Sequence, residues 1–271
     1  MIKKNIQKII CILGIIIACT TIIASAGRLA VSRNKTITAQ YVFLGDSIYG
    51  NYRGDTSISG FFGSMAGVTT LNAGMGGTTA SLMRDNPRSE ISEDSVSLIT
   101  VAEAIHSGDY SILHGSMATR RNGALTYFPQ VIKDLEATDF SGTQVFIIEH
   151  ALNDYFYHRP IVTKSNDGKY DLLSYYGAIS YSIELIKDKY PEAKILLISP
   201  VYGQADLGDY CDAAERIANE QGIYYFDAFH ADIVTPDNYL DVTEDGIHLN
   251  EIGREIYAES LYNYCVSEGL L

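Results

Sequence analysis

The feature that most constrains this chain is a repeated alternation between short apolar runs and longer amphipathic segments. Each apolar run is rich in β-branched or aromatic residues and is bounded by turn residues, as buried parallel strands are. The five runs are Tyr41–Leu44, Val68–Leu71, Gln144–Glu149, Lys194–Ser199 and Ile223–Asp227. Helix-like segments lie near residues 57–66, 95–107, 121–137, 172–190, 209–221 and 251–265, the last of them capped by Asn250.

This alternation predicts a single three-layer α/β/α domain. Strands separated by helices form a parallel sheet covered on both faces, and five strands suit a mostly parallel, flavodoxin-like sheet. In such a sheet ligands bind beyond the carboxyl ends of the strands, so the residues that follow each strand are the candidate functional residues. The insertion Tyr155–Asp171 is the least regular part, and Asn166-Asp167-Gly168 predicts a small hairpin within it.

The first 26 residues have the pattern of an export signal. Three lysines precede an uncharged apolar stretch, residues 9–26, which ends in Ala24-Ser25-Ala26. This ending favours cleavage after Ala26, but the stretch is also long enough to remain as a membrane anchor. A lipoprotein signal at Cys19 fits less well, because the apolar run continues past it. Residues 27–40 are expected to form a tether before a domain of residues 41–271, which is secreted or anchored outside the cytoplasm.

The exported part is strongly acidic. Without residues 1–26 it has 17 Lys and Arg against 33 Asp and Glu, a net charge of −16. Such a surface repels phosphate backbones and anionic lipids, so nucleic acid is excluded as a partner and the membrane is contacted only through the N-terminal segment. Cys211 and Cys265 are its two cysteines, and the sequence leaves open a disulfide between them or two semi-buried thiols.

Four segments that contain or follow turns carry residues suited to acyl transfer. Ser47 comes just past the first predicted strand, where a parallel sheet exposes its active-site edge. A serine nucleophile needs a base, and the base needs an acceptor on its second ring nitrogen; Asp245 and His248, three residues apart across a turn, can supply both. The glycine-rich turn 72–79 and Asn153 follow the next two strands and can donate hydrogen bonds to an oxyanion, together with the Ser47 N–H.

Taken together, these segments resemble the four sequence blocks of the SGNH hydrolases, also called GDSL esterases or lipases, over residues 41–262. The resemblance places Ser47, Asp245 and His248 in a catalytic triad and the Ser47 N–H, Gly77 and Asn153 in an oxyanion hole. Two positions depart from the family pattern: Ile48 replaces a leucine, and Ala151 replaces the glycine two residues before Asn153. The alanine fits without strain only if its φ is negative.

The resemblance implies a serine esterase that acts on small or short-chain acyl esters, in particular acetyl esters, through an acyl-Ser47 intermediate. It implies no metal and no organic cofactor. Export favours a glycan ester as substrate, with a small-molecule or lipid ester as the alternative. A polysaccharide O-acetyltransferase would use the same site. A non-catalytic carbohydrate-binding module on this scaffold would be expected to have lost Ser47, Asn153 or His248, and all three are present.

Other residues near the blocks have simpler explanations. Asp46 and Asp154 come after strands and are expected to accept backbone N–H bonds in turns. His150, Asp154 and His158 have a spacing that would suit metal ligands on a helix, but they straddle a strand end and a loop, so no metal site is predicted.

Aromatic residues also follow the blocks. Tyr49 and Tyr155 are candidates for a substrate-binding wall, and packing at the rim of the sheet is the alternative.

Overall fold

The computed structural model describes residues 36–83, 91, 95–119, 126–162, 169–201 and 206–271. Residues Ile37–Leu271 form one compact unit. The predicted signal or anchor, most of the tether and the turn at Asn166-Asp167-Gly168 lie outside the described residues. Among the residues that are described, no helix is both long enough and apolar enough to cross a membrane.

A five-stranded parallel sheet forms the centre of the fold. The strands in chain order are β1 (Ile37–Thr38), β2 (Tyr41–Gly45), β3 (Thr70–Asn72), β4 (Thr138–Asp139), β5 (Val145–Glu149), β6 (Lys194–Ile198) and β7 (Tyr224–Phe226). The main sheet has the order β3-β2-β5-β6-β7, and every neighbouring pair is parallel. The predicted five-stranded α/β/α fold is therefore confirmed. Strands β1 and β4 form a separate parallel pair.

Helices connect the strands. They are α1 (Ser47–Gly50), α2 (Ile58–Ala66), α3 (Leu98–Ser107), α4 (Ser111–Thr119), α5 (Phe128–Ala137), α6 (Leu152–Phe156), α7 (Tyr175–Lys189), α8 (Gly208–Gln221), α9 (Tyr239–Val242) and α10 (Glu251–Ser267). Four of the longer helices begin at a side chain that accepts a backbone N–H of the first turn; these caps are Ser57, Ser97, Ser174 and Asn250. The predicted cap at Asn250 is thus confirmed.

The two central strands explain the unbroken apolar runs in the sequence. Every residue of β2 and β5 is buried, because helices cover both faces of the sheet. At β7, Phe226 packs against Tyr264 of α10 with ring centroids 5.1 Å apart, whereas the Tyr225 hydroxyl donates to the Cys211 carbonyl of α8. Successive strand residues point to opposite faces, so α8 and α10 lie on opposite sides of the sheet.

This arrangement settles the state of the two cysteines. Cys211 belongs to α8 and Cys265 to α10, so the sheet separates them and no disulfide can join them. Both are free and buried, and burial raises the pKa of each thiol to about 12. They are inert core residues rather than reactive thiols.

Several short elements were not predicted from the sequence. Residues Ile37–Thr38, assigned to the tether, pair with Thr138–Asp139 and so belong to the folded unit. Helix α6 includes Tyr155 and ends at Phe156, so the predicted irregular insertion begins as a helix. Elements of two to five residues are too short to show a periodic pattern, which is why the sequence did not indicate them.

Candidate active site

The candidate nucleophile lies where β2 ends and α1 begins. Asp46 caps α1, and its Oδ1 accepts a 3.0 Å hydrogen bond from the Ile48 N–H. A Cβ on Gly45 would lie 2.8 Å from the Glu149 carbonyl oxygen of the neighbouring strand, so only glycine fits at the strand end. Ser47 follows as the first residue of the helix and is 8% exposed, so it is nearly buried.

The structure brings Ser47, His248 and Asp245 together in a linear chain of hydrogen bonds. The Ser47 Oγ lies 3.0 Å from the His248 Nε2, and the His248 Nδ1 lies 2.7 Å from the Asp245 Oδ2. A carboxylate can only accept, so the imidazole proton is on Nδ1 and Nε2 is left to accept the serine proton. This is the geometry that a general base and its orienting acid require.

The Asp245–His248 loop is organised by the aspartate itself. The Asp245 Oδ1 accepts backbone N–H bonds from Ile247 (3.0 Å) and His248 (2.8 Å). Burial alone would raise the pKa of Asp245, but these two bonds and the imidazole together lower it to about 2. Asp245 is therefore ionised throughout the neutral range and keeps the imidazole in the productive tautomer.

Two backbone N–H groups, on Ser47 and Gly77, are candidate oxyanion donors. Gly77 adopts φ +75°, and among the described residues neither its N–H nor that of Ser47 donates to a protein acceptor. The neighbouring Gly76 N–H is instead bound to the Tyr127 hydroxyl at 2.8 Å. A Cβ on Gly74 would lie 2.7 Å from a backbone nitrogen of α1, so the glycine-rich turn packs directly against the nucleophile segment. Gly77 is thus the glycine left with a free donor.

Asn153 lies in the site, but both of its amide hydrogens are occupied. Its Nδ2 donates to the Asp46 Oδ2 and to the Thr78 carbonyl oxygen, each at 3.0 Å. These bonds tie the segment after β5 to the residue before the nucleophile and to the residue after Gly77. An oxyanion could use this amide only by sharing a hydrogen with one of the two acceptors. The sequence did not indicate this double engagement.

Ala151 has the conformation that the sequence left open. Its φ is +151°, a region that L-residues rarely adopt, and its side chain is fully buried. The alanine therefore occupies a glycine-like position at the entrance to α6, at a cost of order 1–3 kcal/mol for such backbone strain. Asn153 keeps its place in the site despite this departure from the family pattern.

Besides Asp46, the carboxyl group of Glu149 lies close to the nucleophile segment. Glu149 is opposite Gly45 in the sheet, is fully buried, and has no hydrogen-bond partner for either oxygen among the described residues. Burial, and then the charge of Asp46, raise the pKa of Glu149 well above its ordinary value. Burial also raises the pKa of Asp46, to about 7, although the Ile48 N–H and Asn153 oppose it. Asp46 receives hydrogen-bond donors and Glu149 receives none among the described residues, so a negative charge is better compensated on Asp46.

The other polar residues close to Asn153, His150 and Asp154, are structural. Asp154 is fully buried and accepts from the Ala80 N–H (2.7 Å), the Ser81 N–H (3.1 Å) and the Ser81 Oγ (2.7 Å). It therefore accepts backbone N–H bonds as predicted, but from the segment after Gly77 and not from its own turn. Burial lowers the pKa of His150 to about 3, which makes it a neutral core residue. Across the described parts of the chain, no group of three or more His, Cys, Asp and Glu is arranged to hold a metal ion.

One aromatic prediction is wrong. The Tyr49 side chain is 1% exposed and packs edge-on against Phe43 and Tyr257, so it contacts the core and not a substrate. Its place in the helical turn after Ser47 directs it inward. Tyr155 is half-buried and packs against Phe156 and Tyr210 at the edge of the site.

Solved structures with the same architecture exist at low sequence identity. A Bacteroides ovatus protein described as a GDSL-like lipase matches with a TM-score of 0.51 and 15% identity, over 84% of this chain and 99% of its own. A protein from Chitinophaga pinensis described as a possible lipase matches with a TM-score of 0.52 and 16% identity, over 86% and 99%. A family two carbohydrate esterase from Clostridium thermocellum, in complex with cellohexaose, matches with a TM-score of 0.51 and 14% identity, over 85% of this chain and 65% of its own.

These likenesses define the fold class. The chain has the three-layer fold of the SGNH, or GDSL-type, hydrolases, as the four sequence blocks predicted. No protein-family model matches the chain, and no curated protein matches it in sequence.

Proposed function

We propose that this protein is a serine ester hydrolase. The observation that carries the proposal is the unbroken chain from the Ser47 Oγ through His248 to Asp245, with bonds of 3.0 and 2.7 Å, at the carboxyl end of a parallel sheet. Among the described residues the Ser47 and Gly77 N–H groups donate to no protein acceptor, so both are candidate oxyanion donors. A nucleophile, an oriented base and unoccupied oxyanion donors in one place are what acyl transfer needs.

The geometry supports a two-step reaction. His248 takes the hydroxyl proton as the Ser47 Oγ attacks the ester carbonyl carbon, and Asp245 stabilises the imidazolium that forms. The carbonyl oxygen becomes an oxyanion on the Ser47 and Gly77 N–H groups, and Asn153 is a third donor once it gives up one of its protein acceptors. His248 then protonates the leaving alcohol, and a water activated by the same base releases the acid from acyl-Ser47.

For the substrate we propose a small or short-chain acyl ester, in particular an acetyl ester of a glycan. The resemblance of the four sequence segments to the SGNH hydrolases supports a small acyl group. The acidic surface disfavours anionic substrates such as anionic phospholipids. The lysines and apolar stretch at the N-terminus support action outside the cytoplasm, in a secreted or membrane-anchored form.

The direct test is labelling of the purified full-length chain with a fluorophosphonate, followed by assays on p-nitrophenyl esters of increasing chain length. We expect labelling of the wild type, none of Ser47→Ala, and the highest kcat/KM on the acetyl or propionyl ester. The matched control is Ser267→Ala, which removes a serine hydroxyl at the far end of α10. If folded Ser47→Ala retained more than a few per cent of the hydrolysis, Ser47 would not be the nucleophile.

A further inference from the structure

Arg254, which no sequence block includes, lies close to the candidate triad. It is in the first turns of α10 and only 4% exposed. Among the described residues, no carboxylate lies within ion-pair distance of its guanidinium. A buried charge is costly unless hydrogen bonds compensate it, so the contacts that Arg254 makes define what it does.

The guanidinium bridges two distant segments of the chain. Its Nε donates to the Thr56 carbonyl oxygen and its Nη1 to the Leu249 carbonyl oxygen, both at 2.7 Å. Thr56 lies in the loop that follows the nucleophile helix α1, and Leu249 comes directly after His248. One rigid group therefore joins the segment that carries the nucleophile to the segment that carries the base.

The planar face of the same group provides a second link. The Arg254 guanidinium carbon lies 3.7 Å from the centre of the Tyr52 ring, and the Tyr52 hydroxyl donates to the Glu244 carboxylate. Glu244 directly precedes Asp245, and its N–H donates to the His248 carbonyl oxygen at 2.8 Å. Arg254, Tyr52 and Glu244 thus connect the nucleophile segment with both ends of the Asp245–His248 loop.

We propose that Arg254 is a positioning residue that holds the His248 loop in register with the nucleophile segment. The inference rests on the proposed function, because it concerns how the base reaches Ser47. The His248 loop is not at the end of a strand next to β2, so the sheet does not set the distance between Nε2 and Oγ. Arg254 does, through Leu249 on one side and Thr56 on the other. A displacement of about 1 Å in such a pair costs about a hundredfold in rate.

The test compares Arg254→Met and Arg254→Lys with the wild type in the full-length chain. We expect Arg254→Met to lower kcat on p-nitrophenyl acetate, and the rate of fluorophosphonate labelling, by about ten- to a hundredfold with little change in KM. Lysine keeps the charge but cannot serve two carbonyls while stacking on Tyr52, so Arg254→Lys should recover only part of the rate. Millimolar ethylguanidine should restore labelling in the smaller variant Arg254→Ala.

Ile183→Ala provides the control for general destabilisation, because Ile183 is a fully buried residue of the outer helix α7, away from the site. It should lower the melting temperature without lowering kcat of the folded fraction. The positioning role would be overturned if Arg254→Met were labelled at the wild-type rate per folded molecule. It would also be overturned if the losses of melting temperature and of activity matched those of Ile183→Ala and ethylguanidine gave no rescue. Absence of labelling in the wild type would instead refute the proposed function, so the two failures are distinguishable.

Discussion

The buried carboxyl of Glu149 makes a quantitative prediction about stability and pH. In the native state Glu149 has no donor to compensate a charge, and its pKa is raised well above the ordinary value. The native state therefore keeps a proton that the unfolded chain releases above about pH 4.3. Because the native state binds more protons, stability falls as pH rises from the unfolded pKa towards the native one. Glu149→Gln has no titrating group at this position and should remove that dependence.

The magnitude follows from the linkage relation. One proton held only by the native state changes the free energy of unfolding by about 1.4 kcal/mol per pH unit. For a domain of this size 1 kcal/mol corresponds to about 2–4 °C in melting temperature, so the Glu149 contribution is about 3–6 °C per pH unit. Glutamine adds a buried amide without partners, which shifts stability by a similar amount at every pH. The test therefore depends on the slope of melting temperature against pH, and not on the absolute melting temperature.

The assay is thermal unfolding followed by circular dichroism at half-unit steps from pH 5 to pH 8. The curve of wild-type minus Glu149→Gln melting temperatures should fall as pH rises from 5 towards the raised pKa of Glu149. Glu192→Gln, the same change at an exposed position, should run parallel to the wild type. Parallel curves for Glu149→Gln and the wild type would show that Glu149 does not hold the proton. Because the neutral amide resembles the protonated acid in shape, Glu149→Gln should also keep most of the wild-type kcat.

Three further predictions concern the site. Ala151→Gly should leave the melting temperature unchanged or raise it, because relief of a φ of +151° offsets the lost methyl group. The control is Ala214→Gly, in the buried face of α8, which should destabilise by about 1 kcal/mol or more in the same melts. Asn153→Ala should lower kcat by on the order of a hundredfold in steady-state assays, with an unchanged kcat excluding the amide as a donor. Asp245→Asn should lower kcat/KM at least about tenfold at every pH from 6 to 9, since a carboxyl with a pKa of about 2 is ionised throughout; equal profiles would exclude it as the partner.

The sheet could be predicted from the sequence because its strands are buried on both faces. Burial of both sides demands unbroken β-branched and aromatic runs, and such runs are visible without any structure. The positions of Ser47 and Asn153 followed from this, since residues after parallel strands meet at one edge of the sheet. The pairing of Asp245 with His248 was also accessible, because a three-residue spacing across a turn is a local geometry.

The sequence could not give what depends on contacts between distant segments. Its position after the nucleophile makes Tyr49 a candidate for a substrate-binding wall, but the first turn of α1 directs it against Tyr257, far along the chain. The double engagement of Asn153 depends on the relative position of Asp46 and Thr78, which only the packed sheet defines. The short helices and the β1–β4 pair lack a periodic pattern for the same reason: their hydrogen bonds are set by their neighbours.

Mutations in the strands and mutations at the side-chain contacts between distant segments should have different effects. Three of the four segments of the site begin at the ends of adjacent strands, so the ladder between β2, β3 and β5 fixes their spacing. The fourth segment, with Asp245 and His248, does not follow one of these strands, and Arg254 links it to the nucleophile segment through Leu249 and Thr56. Changes in the strands should therefore reduce the folded fraction before they alter the kcat of the molecules that remain folded. Changes at the contacts of the fourth segment should reduce kcat while the sheet, and with it most of the stability, is retained.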